Sequence, residues 1–263
     1  MAEAKTITTN KPGWLDLSSA DAAASREFYS KLFGWSAEVS DDPQYGGYAM
    51  FKLGGKEVGG VGPRQNDQQP TAWTVYVLVE NADATAEKAQ QAGGQVFAPP
   101  FDVGTQGRMA IIADPSGAVF GIWQAGEHSG WEIEGDTGAV CWVELTSRNL
   151  DAAKRFYTDV FGWTATKSEI ASDMEYWTFS LSEGQSFAGG LQAPEQMPAE
   201  VPSYWQPYIA VDNADATAAK AKELGATVMV EPADIPNTGR FAVIGDPLGG
   251  VFGILQPLPR QPA

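Results

Sequence analysis

Apolar and polar residues alternate along residues 13–19, which is the pattern of a β-strand with one buried face. Asp21 follows, and the alanine-rich segment after it carries large apolar residues at helical spacing as far as Gly34. Aspartate is favoured at the start of a helix, and glycine is favoured just after its end. This stretch therefore predicts a strand followed by a helix.

Short strand patterns follow that helix, and the same order then recurs. One pair of them is divided by a Gly-Gly turn, and a later pair flanks an Asp-Pro-Ser-Gly turn at 114–117. Another strand and an alanine-rich helix that ends in glycine lie between the pairs. The pattern predicts two βαβββ units, with strands over 48–53, 57–63, 73–79, 108–114 and 118–124 and a second helix over 82–93.

The whole pattern occurs twice in the chain. Residues 14–35 recur at an offset of 142 − 14 = 128, and residues 107–124 recur at an offset of 239 − 107 = 132. The joint between the copies is rich in glycine and acidic residues, as a solvated linker is. The repeat predicts two tandem α+β domains, each with paired βαβββ units in a curved mixed sheet: residues 1–125, a linker over 126–138, and residues 139–263.

Charge and composition narrow the choice of partners. The chain has 33 acidic and 17 basic residues and a formal net charge of −16, which opposes binding to nucleic acid or to an anionic membrane surface. The single cysteine, Cys141, excludes an intrachain disulfide. Neither an apolar signal segment nor a run of 18 apolar residues occurs, so we expect a cytoplasmic protein whose partner is a small molecule.

Several motifs in register resemble the vicinal oxygen chelate superfamily, which includes glyoxalase I, extradiol dioxygenases, and fosfomycin and bleomycin resistance proteins. They are FYSKLFGW after the first helix, VENADA before the second, and DPSGAVFGI at the end of a copy. The resemblance covers nearly the whole chain twice. It implies two glyoxalase-like domains, each with a cup of curved sheet that holds a metal ion between histidine and carboxylate ligands.

The positions that match those ligands carry neither imidazole nor carboxylate: Trp14, Thr74 and Gly121 in the first copy, and Trp142, Gln206 and Gly253 in the second. The only histidine, His128, lies in the linker, where we expect it to be exposed. Fe(II), Zn(II), Ni(II) and Mn(II) sites need imidazole and carboxylate donors. We therefore predict no metal and no cofactor, with an all-oxygen Mg(II) or Ca(II) site as the alternative.

The period-two rule for strands places further residues on the same concave face. Aromatic side chains suit a flat ligand, and glycine at the former carboxylate position is expected to open room. The alternative is that the aromatic residues fill a dead cavity as core. The predicted ligand-binding residues are Trp14, Thr74, Tyr76, Gly121 and Trp123 in the first cup, and Trp142, Gln206, Tyr208 and Gly253 in the second.

A carboxylate recurs at one register in both cups, as Asp16 and Glu144. These are the predicted catalytic residues, because a carboxyl in apolar surroundings has a raised pKa and can act as a base. The alternative is that each carboxylate bonds a neighbouring group and only fixes the sheet.

Two further residue pairs recur between the copies. Arg108 and Arg240 stand at strand entries, where an arginine more often pairs with a carboxylate on the rim than with a ligand. Tyr48 and Tyr176 lie on matching strands, and their hydroxyls are candidates to hydrogen-bond a ligand.

Three functions are compatible with these observations. The first is a metal-independent binding protein for an apolar or aromatic ligand, similar to the drug-sequestering, antibiotic-resistance branch of the superfamily. The second is a metal-free isomerase, cyclase or lyase, and the third is a glyoxalase or dioxygenase with atypical ligands. The tandem copies are compatible with a monomer or a homodimer, and the pattern leaves open which βαβββ units pair.

Overall fold

The computed structural model describes residues 8–168, 175–182 and 185–258. The predicted outer domain bounds, residues 1 and 263, lie outside them. The elements of the first copy are β1 (Pro12–Ser19), α1 (Ala22–Phe33), β2 (Ser36–Val39), β3 (Ala49–Leu53), β4 (Lys56–Pro63), β5 (Ala72–Val79), α2 (Ala82–Gln91), β6 (Gln95–Val103), β7 (Gly107–Ala113) and β8 (Val119–Ala125).

The second copy repeats this order after the linker. Its elements are β9 (Val140–Ser147), α3 (Leu150–Phe161), β10 (Thr164–Lys167), β11 (Tyr176–Ser180), β12 (Ser186–Gln192), β13 (Tyr204–Ala210), α4 (Ala214–Glu223), β14 (Thr227–Ile235), β15 (Gly239–Gly245) and β16 (Val251–Pro257). The α+β class and the tandem βαβββ units are confirmed. Within the described residues, no helix has the length and apolar character needed to cross a membrane.

The two βαβββ units of one copy pair with each other. In the first copy β1 runs antiparallel to β5 at the centre of the sheet, with β4, β3 and β2 beyond β1 and with β8, β7 and β6 beyond β5. In the second copy β9 and β13 form the same central pair. The βαβββ units thus pair within each copy, which answers the question that the sequence pattern leaves open.

Local signals in the sequence explain where the helices begin and end. The Asp21 carboxylate accepts hydrogen bonds from the amides of Ala23 and Ala24, both at 3.0 Å, and so caps α1. Gly34 ends that helix with φ of 75°, a left-handed conformation that glycine adopts without steric cost. The predicted capping residues are therefore confirmed.

The sequence pattern located only two of the three strands that follow each helix in the first copy. The structure adds β2 and β6, the edge strands of the sheet. Neither contains a buried residue, and β6 includes Pro99 and Pro100 and a register shift on each side of Ala98. An edge strand without a buried face shows no apolar alternation, so its sequence carries little strand signal.

The two copies share a core built around the helices α1 and α3. Tyr29 of α1 donates a hydrogen bond to Asp246 of the second copy at 2.8 Å, and Tyr157 of α3 donates to Asp114 of the first copy at 3.1 Å. Each tyrosine oxygen also accepts a hydrogen bond from a tryptophan of its own copy. Both Asp-Pro turns thus join the copies, with the carboxyl pKa of Asp114 raised by burial.

The linker packs against the first copy instead of running through solvent. The amide of Trp131 donates to the carbonyl of Gly13, and the amide of Glu132 donates to the carbonyl of Glu57, both at 2.8 Å. This path buries His128 against Trp14 and Trp123, where 7% of the residue is exposed. The prediction that His128 is exposed was wrong, because glycine-rich and acidic composition indicates a connection but not the path that it follows.

Candidate functional site

A hydrogen-bonded carboxyl occupies the first cup. Trp14 and Asp16 lie on one face of β1, and the indole Nε1 of Trp14 donates to Asp16 Oδ1 at 2.9 Å. Tyr48 immediately precedes β3, and its hydroxyl donates to the same oxygen at 2.5 Å. Tyr76 lies opposite Trp14 in the β1–β5 pair, and the nearby Asp16 carboxylate contributes to raising the pKa of Tyr76. Trp14, Tyr48 and Tyr76 therefore lie around the carboxyl group of Asp16.

The second cup repeats this cluster with a longer carboxyl side chain. The Tyr176 hydroxyl donates to Glu144 Oε2 at 2.9 Å, and the Tyr208 hydroxyl donates to Glu144 Oε1 at 3.0 Å. The indole of Trp142 donates to the Tyr176 oxygen at 2.8 Å. Each Glu144 oxygen thus has its own tyrosine donor, while the tryptophan orients one of the two tyrosines.

Burial shifts the titration of these clusters. Desolvation raises the pKa of Asp16 and of Glu144 above the ordinary carboxyl values, and the hydrogen bonds from tyrosine oppose that rise. Burial and the adjacent carboxylate raise the pKa of Tyr76 and Tyr208 well above the usual value for tyrosine. The tyrosines therefore keep their protons as hydrogen-bond donors, and the carboxyls are stronger bases than exposed ones.

The glycines at the former ligand position do not leave open space. A Cβ atom on Gly121 would lie 2.1 Å from Cδ1 of Tyr76, and one on Gly253 would lie 2.2 Å from Cδ1 of Tyr208. Tyr76 and Gly121 are cross-strand partners on β5 and β8, so the ring lies directly over the glycine backbone. The expectation that glycine opens room was wrong, because a tyrosine ring from the neighbouring strand fills that room.

A second pair of glycines admits the tyrosine hydroxyls. A Cβ on Gly60 would lie 1.7 Å from the Tyr48 oxygen, and a Cβ on Gly189 would lie 1.8 Å from the Tyr176 oxygen. Both glycines belong to a Gly-Gly pair that recurs in the two copies. That recurrence was the available signal for these tyrosines, which the sequence pattern could place only approximately.

Comparison with known proteins gives the family. The family model of the "Glyoxalase/Bleomycin resistance protein/Dioxygenase superfamily" matches residues 11–122 and 140–252. The chain belongs to this superfamily. Its fold is also similar to the "Mn(II)-bound glyoxalase from Novosphingobium aromaticivorans", with a TM-score of 0.65 at 18% identity over 95% of this chain and 83% of that one. The fold is similar as well to the 2,3-dioxygenase LapB of Pseudomonas sp. KL28, with a TM-score of 0.64 at 14% identity over 96% of this chain and 95% of that one.

Two curated relatives match along nearly their whole length. "Putative glyoxylase CFP32" of Mycobacterium tuberculosis is 43% identical over 254 residues, which are 95% of this chain and 96% of that protein. "Anthracycline biosynthesis protein DnrV" of Streptomyces peucetius is 39% identical over 267 residues, which are 96% of this chain and 95% of that protein. Two relatives whose names indicate different roles are thus comparably similar to this chain.

The superfamily's metal site does not fit the residues of this chain. A carboxylate side chain at position 121 or 253 would collide with a tyrosine ring, and tryptophan at 14 and 142 has no lone pair for a metal. In residues 8–168, 175–182 and 185–258, no three His, Cys, Asp or Glu side chains gather at metal-binding distance. The carboxyls that do lie in the cups, Asp16 and Glu144, are engaged by tyrosine hydroxyls.

The other predicted binding residues have different surroundings. Thr74 and Gln206 lie opposite Asp16 and Glu144 in the antiparallel pairs, so both border the carboxyls. Trp123 does not reach the carboxyl cluster with its polar atom, because its indole donates to the carbonyl of His128 at 2.9 Å. The role of these residues in binding remains a prediction.

The two recurrent arginines pair with nearby carboxylates, as predicted. Arg108 donates from Nε to Asp83 at 2.8 Å, and Arg240 donates from Nε to Asp215 at 2.7 Å. Each arginine also pairs with an aspartate on the neighbouring strand, Asp102 or Asp234. These ion pairs connect the first turn of α2 with the β6–β7 hairpin and the first turn of α4 with the β14–β15 hairpin.

Proposed function

We propose that the chain binds a planar, conjugated small molecule in its cups and that this binding needs no metal ion. The observation that carries the proposal is a carboxyl that accepts a tyrosine hydroxyl beside a tryptophan, present in both copies. Aromatic faces stack on flat ligands, and a partly exposed carboxyl with hydroxyl neighbours fixes the orientation of polar substituents. Asp16 and Glu144 are both partly exposed.

The relatives support the same ligand class. One is named for anthracycline biosynthesis, and anthracyclines contain fused, hydroxylated aromatic rings. The first cup presents a more buried tryptophan than the second, since Trp14 is 3% exposed while Trp142 is partly exposed. Stacking on an indole face is therefore expected mainly in the second cup.

The test is a titration of metal-stripped protein with 1,4-dihydroxyanthraquinone, a flat hydroxylated probe, followed by tryptophan fluorescence and calorimetry. We expect saturable binding that Trp142→Ala weakens by roughly tenfold or more, because one stacked aromatic contributes on the order of 1–3 kcal/mol. Trp177→Ala is the matched control, since Trp177 lies on the same sheet one residue from Tyr176 and faces the opposite side. The absence of saturable binding across a series of polycyclic hydroxyaromatics would refute the proposal.

A second candidate function is metal-free acid–base catalysis, favoured by the raised pKa of both carboxyls. The carboxylate of Glu144 would take a proton from carbon next to a carbonyl. The Tyr208 hydroxyl, which donates to Glu144 in this structure, would turn from the protonated carboxyl to donate to the enolate oxygen. Return of the same proton to a different atom gives an isomerisation that needs no oxidant or reductant.

Deuterium uptake at the α-carbon of propiophenone in D₂O, measured by NMR on metal-stripped protein, tests this chemistry. Catalysed exchange that falls at least a hundredfold in Glu144→Gln and Asp16→Asn together supports it, since general base catalysis contributes about 10²–10⁴-fold. If the protein binds the ketone but exchange proceeds only at the rate seen in buffer alone, the protein binds without catalysing this reaction.

A further inference from the structure

We propose that His128 is a ligand-binding residue of the first cup, where its Nε2 atom accepts a hydrogen bond from an acidic hydroxyl, phenolic or enolic, of a planar ligand. This inference rests on the proposed binding function and specifies what the first cup recognises. It also makes the two cups chemically different, although their folds are repeats.

The linker carries the imidazole onto the concave face. The His128 ring meets the Trp14 indole edge-on, with 4.2 Å between centroids and an interplanar angle of 76°. It lies 5.6 Å from the Trp123 ring, centroid to centroid. Both tryptophans belong to the face that holds Asp16, so the imidazole forms part of the floor of the first cup.

One ring nitrogen of His128 is already held in place. Nδ1 lies 3.1 Å from Glu57 Oε2, which is the geometry of an N–H donor to a carboxylate. When the proton of a neutral imidazole is on Nδ1, Nε2 carries a lone pair and is a hydrogen-bond acceptor. The Glu57 contact thus fixes both the orientation of the ring and the chemical character of its other nitrogen.

The other nitrogen has no partner. His128 Nε2 is buried and makes no hydrogen bond to any residue that the structure describes, and it is the only buried side-chain polar atom of which this is true there. Native proteins rarely leave such an atom unpaired, because the desolvation cost is not recovered. A ligand hydroxyl in the cup supplies the missing donor.

The acceptor and the carboxyl belong to one site. Trp14 contacts both groups, because its ring packs against His128 with 4.2 Å between centroids and its Nε1 donates to Asp16 Oδ1 at 2.9 Å. A ligand with two polar substituents on one edge can therefore engage both groups. The described residues of the second cup contain no imidazole, because His128 is the only histidine of the chain.

A single histidine makes the test direct. Protein labelled with ¹⁵N only at histidine gives one pair of imidazole signals, which report the protonation and hydrogen bonding of Nδ1 and Nε2. In the neutral ring we expect the proton on Nδ1, which faces Glu57, and none on Nε2. Addition of 1,4-dihydroxyanthraquinone should move the Nε2 signal toward the hydrogen-bonded position, while anthraquinone, which has the same rings and no hydroxyl, should not.

His128→Asn gives an independent measurement, because the asparagine amide keeps a donor near the position of Nδ1 and removes Nε2. With Trp142→Ala present to weaken the second cup, this change should reduce affinity for the dihydroxy probe about fivefold to tenfold, as expected for one hydrogen bond. Affinity for anthraquinone should stay the same. Thermal unfolding shows whether the variant is folded, and if it is not, the ¹⁵N experiment on the unsubstituted protein decides.

The outcomes separate this inference from the function on which it rests. If the dihydroxy probe binds while the Nε2 signal stays unchanged and His128→Asn binds normally, His128 has no ligand role and the binding function stands. If no probe of the series binds to either cup, the proposed function fails and the inference fails with it. A movement of Nε2 with the hydroxylated probe alone supports both.

Discussion

Replacing Gly253 by alanine tests whether a tyrosine ring occupies the place of the superfamily's carboxylate ligand. Gly253 is not among the glycines with positive φ, so its backbone accepts alanine without strain. The new Cβ would lie 2.2 Å from Cδ1 of Tyr208, far inside van der Waals contact. Tyr208 is 7% exposed and its hydroxyl is bonded to Glu144, so the ring cannot move freely.

The expected cost follows from those two constraints. Overpacking a core position by one methyl group costs about 1–3 kcal/mol, and weakening the hydrogen bond to Glu144 adds about 1 kcal/mol. Gly253→Ala should therefore lower the free energy of unfolding by about 2–4 kcal/mol. Tyr208→Ala alone should cost about 3–5 kcal/mol, as removal of a buried aromatic ring does.

A double-mutant cycle separates this collision from a general loss of stability. Urea unfolding followed by circular dichroism gives the free energies of the two single variants and of Gly253→Ala with Tyr208→Ala. Without the ring there is no collision, so the double variant should cost about 1–3 kcal/mol less than the sum of the singles. Additivity within about 0.5 kcal/mol would refute the reasoning. Gly121 and Tyr76 offer the same cycle in the first copy.

Two other predictions concern the buried tyrosines and carboxyls. Tyr157→Phe removes the donor to Asp114 and the acceptor for Trp205, so it should lower the free energy of unfolding in urea by about 2–4 kcal/mol. Tyr29→Phe should lower it by a similar amount. A decrease below about 0.5 kcal/mol for either variant would show that the tyrosine–aspartate bond does not hold the copies together. Burial raises the pKa of Glu144 above 4.5, so the folded state keeps a proton that the unfolded state loses. The stability of the unsubstituted protein relative to Glu144→Gln should therefore be greatest below pH 4.5 and fall as pH rises through the folded-state pKa, whereas a relative stability that rises with pH would contradict the shift.

Strand periodicity predicted much of the site because it depends only on the alternation of side chains. Trp14 and Asp16 share a face of β1, and Tyr76 lies on the matching face of β5, so their meeting follows from one antiparallel pair. The same rule placed Glu144 and Tyr208 together. The residue types at the positions that the resemblance assigns to metal ligands could also be read directly from the sequence.

The parts of the site that the sequence could not predict depend on the register between strands and on the path of the linker. Tyr48 reaches Asp16 across β4, and the alignment of β3 with β4 includes a shift beside Phe51 that no local pattern reveals. The position of His128 depends on how the linker folds back on Gly13. The tyrosine ring over Gly121 required knowing that β5 and β8 are neighbours, which is a property of the sheet as a whole.

The central claim is that the cups bind through aromatic, hydroxyl and carboxyl groups and not through a metal ion. The most direct measurement is the affinity for 1,4-dihydroxyanthraquinone of protein purified through a chelator, compared with the same protein after addition of Mn(II), Fe(II), Ni(II) or Zn(II). We expect equal affinity in every case, and a loss of affinity in Trp142→Ala. Binding that disappears with the chelator and returns with one of these metal ions in stoichiometric amount would contradict it.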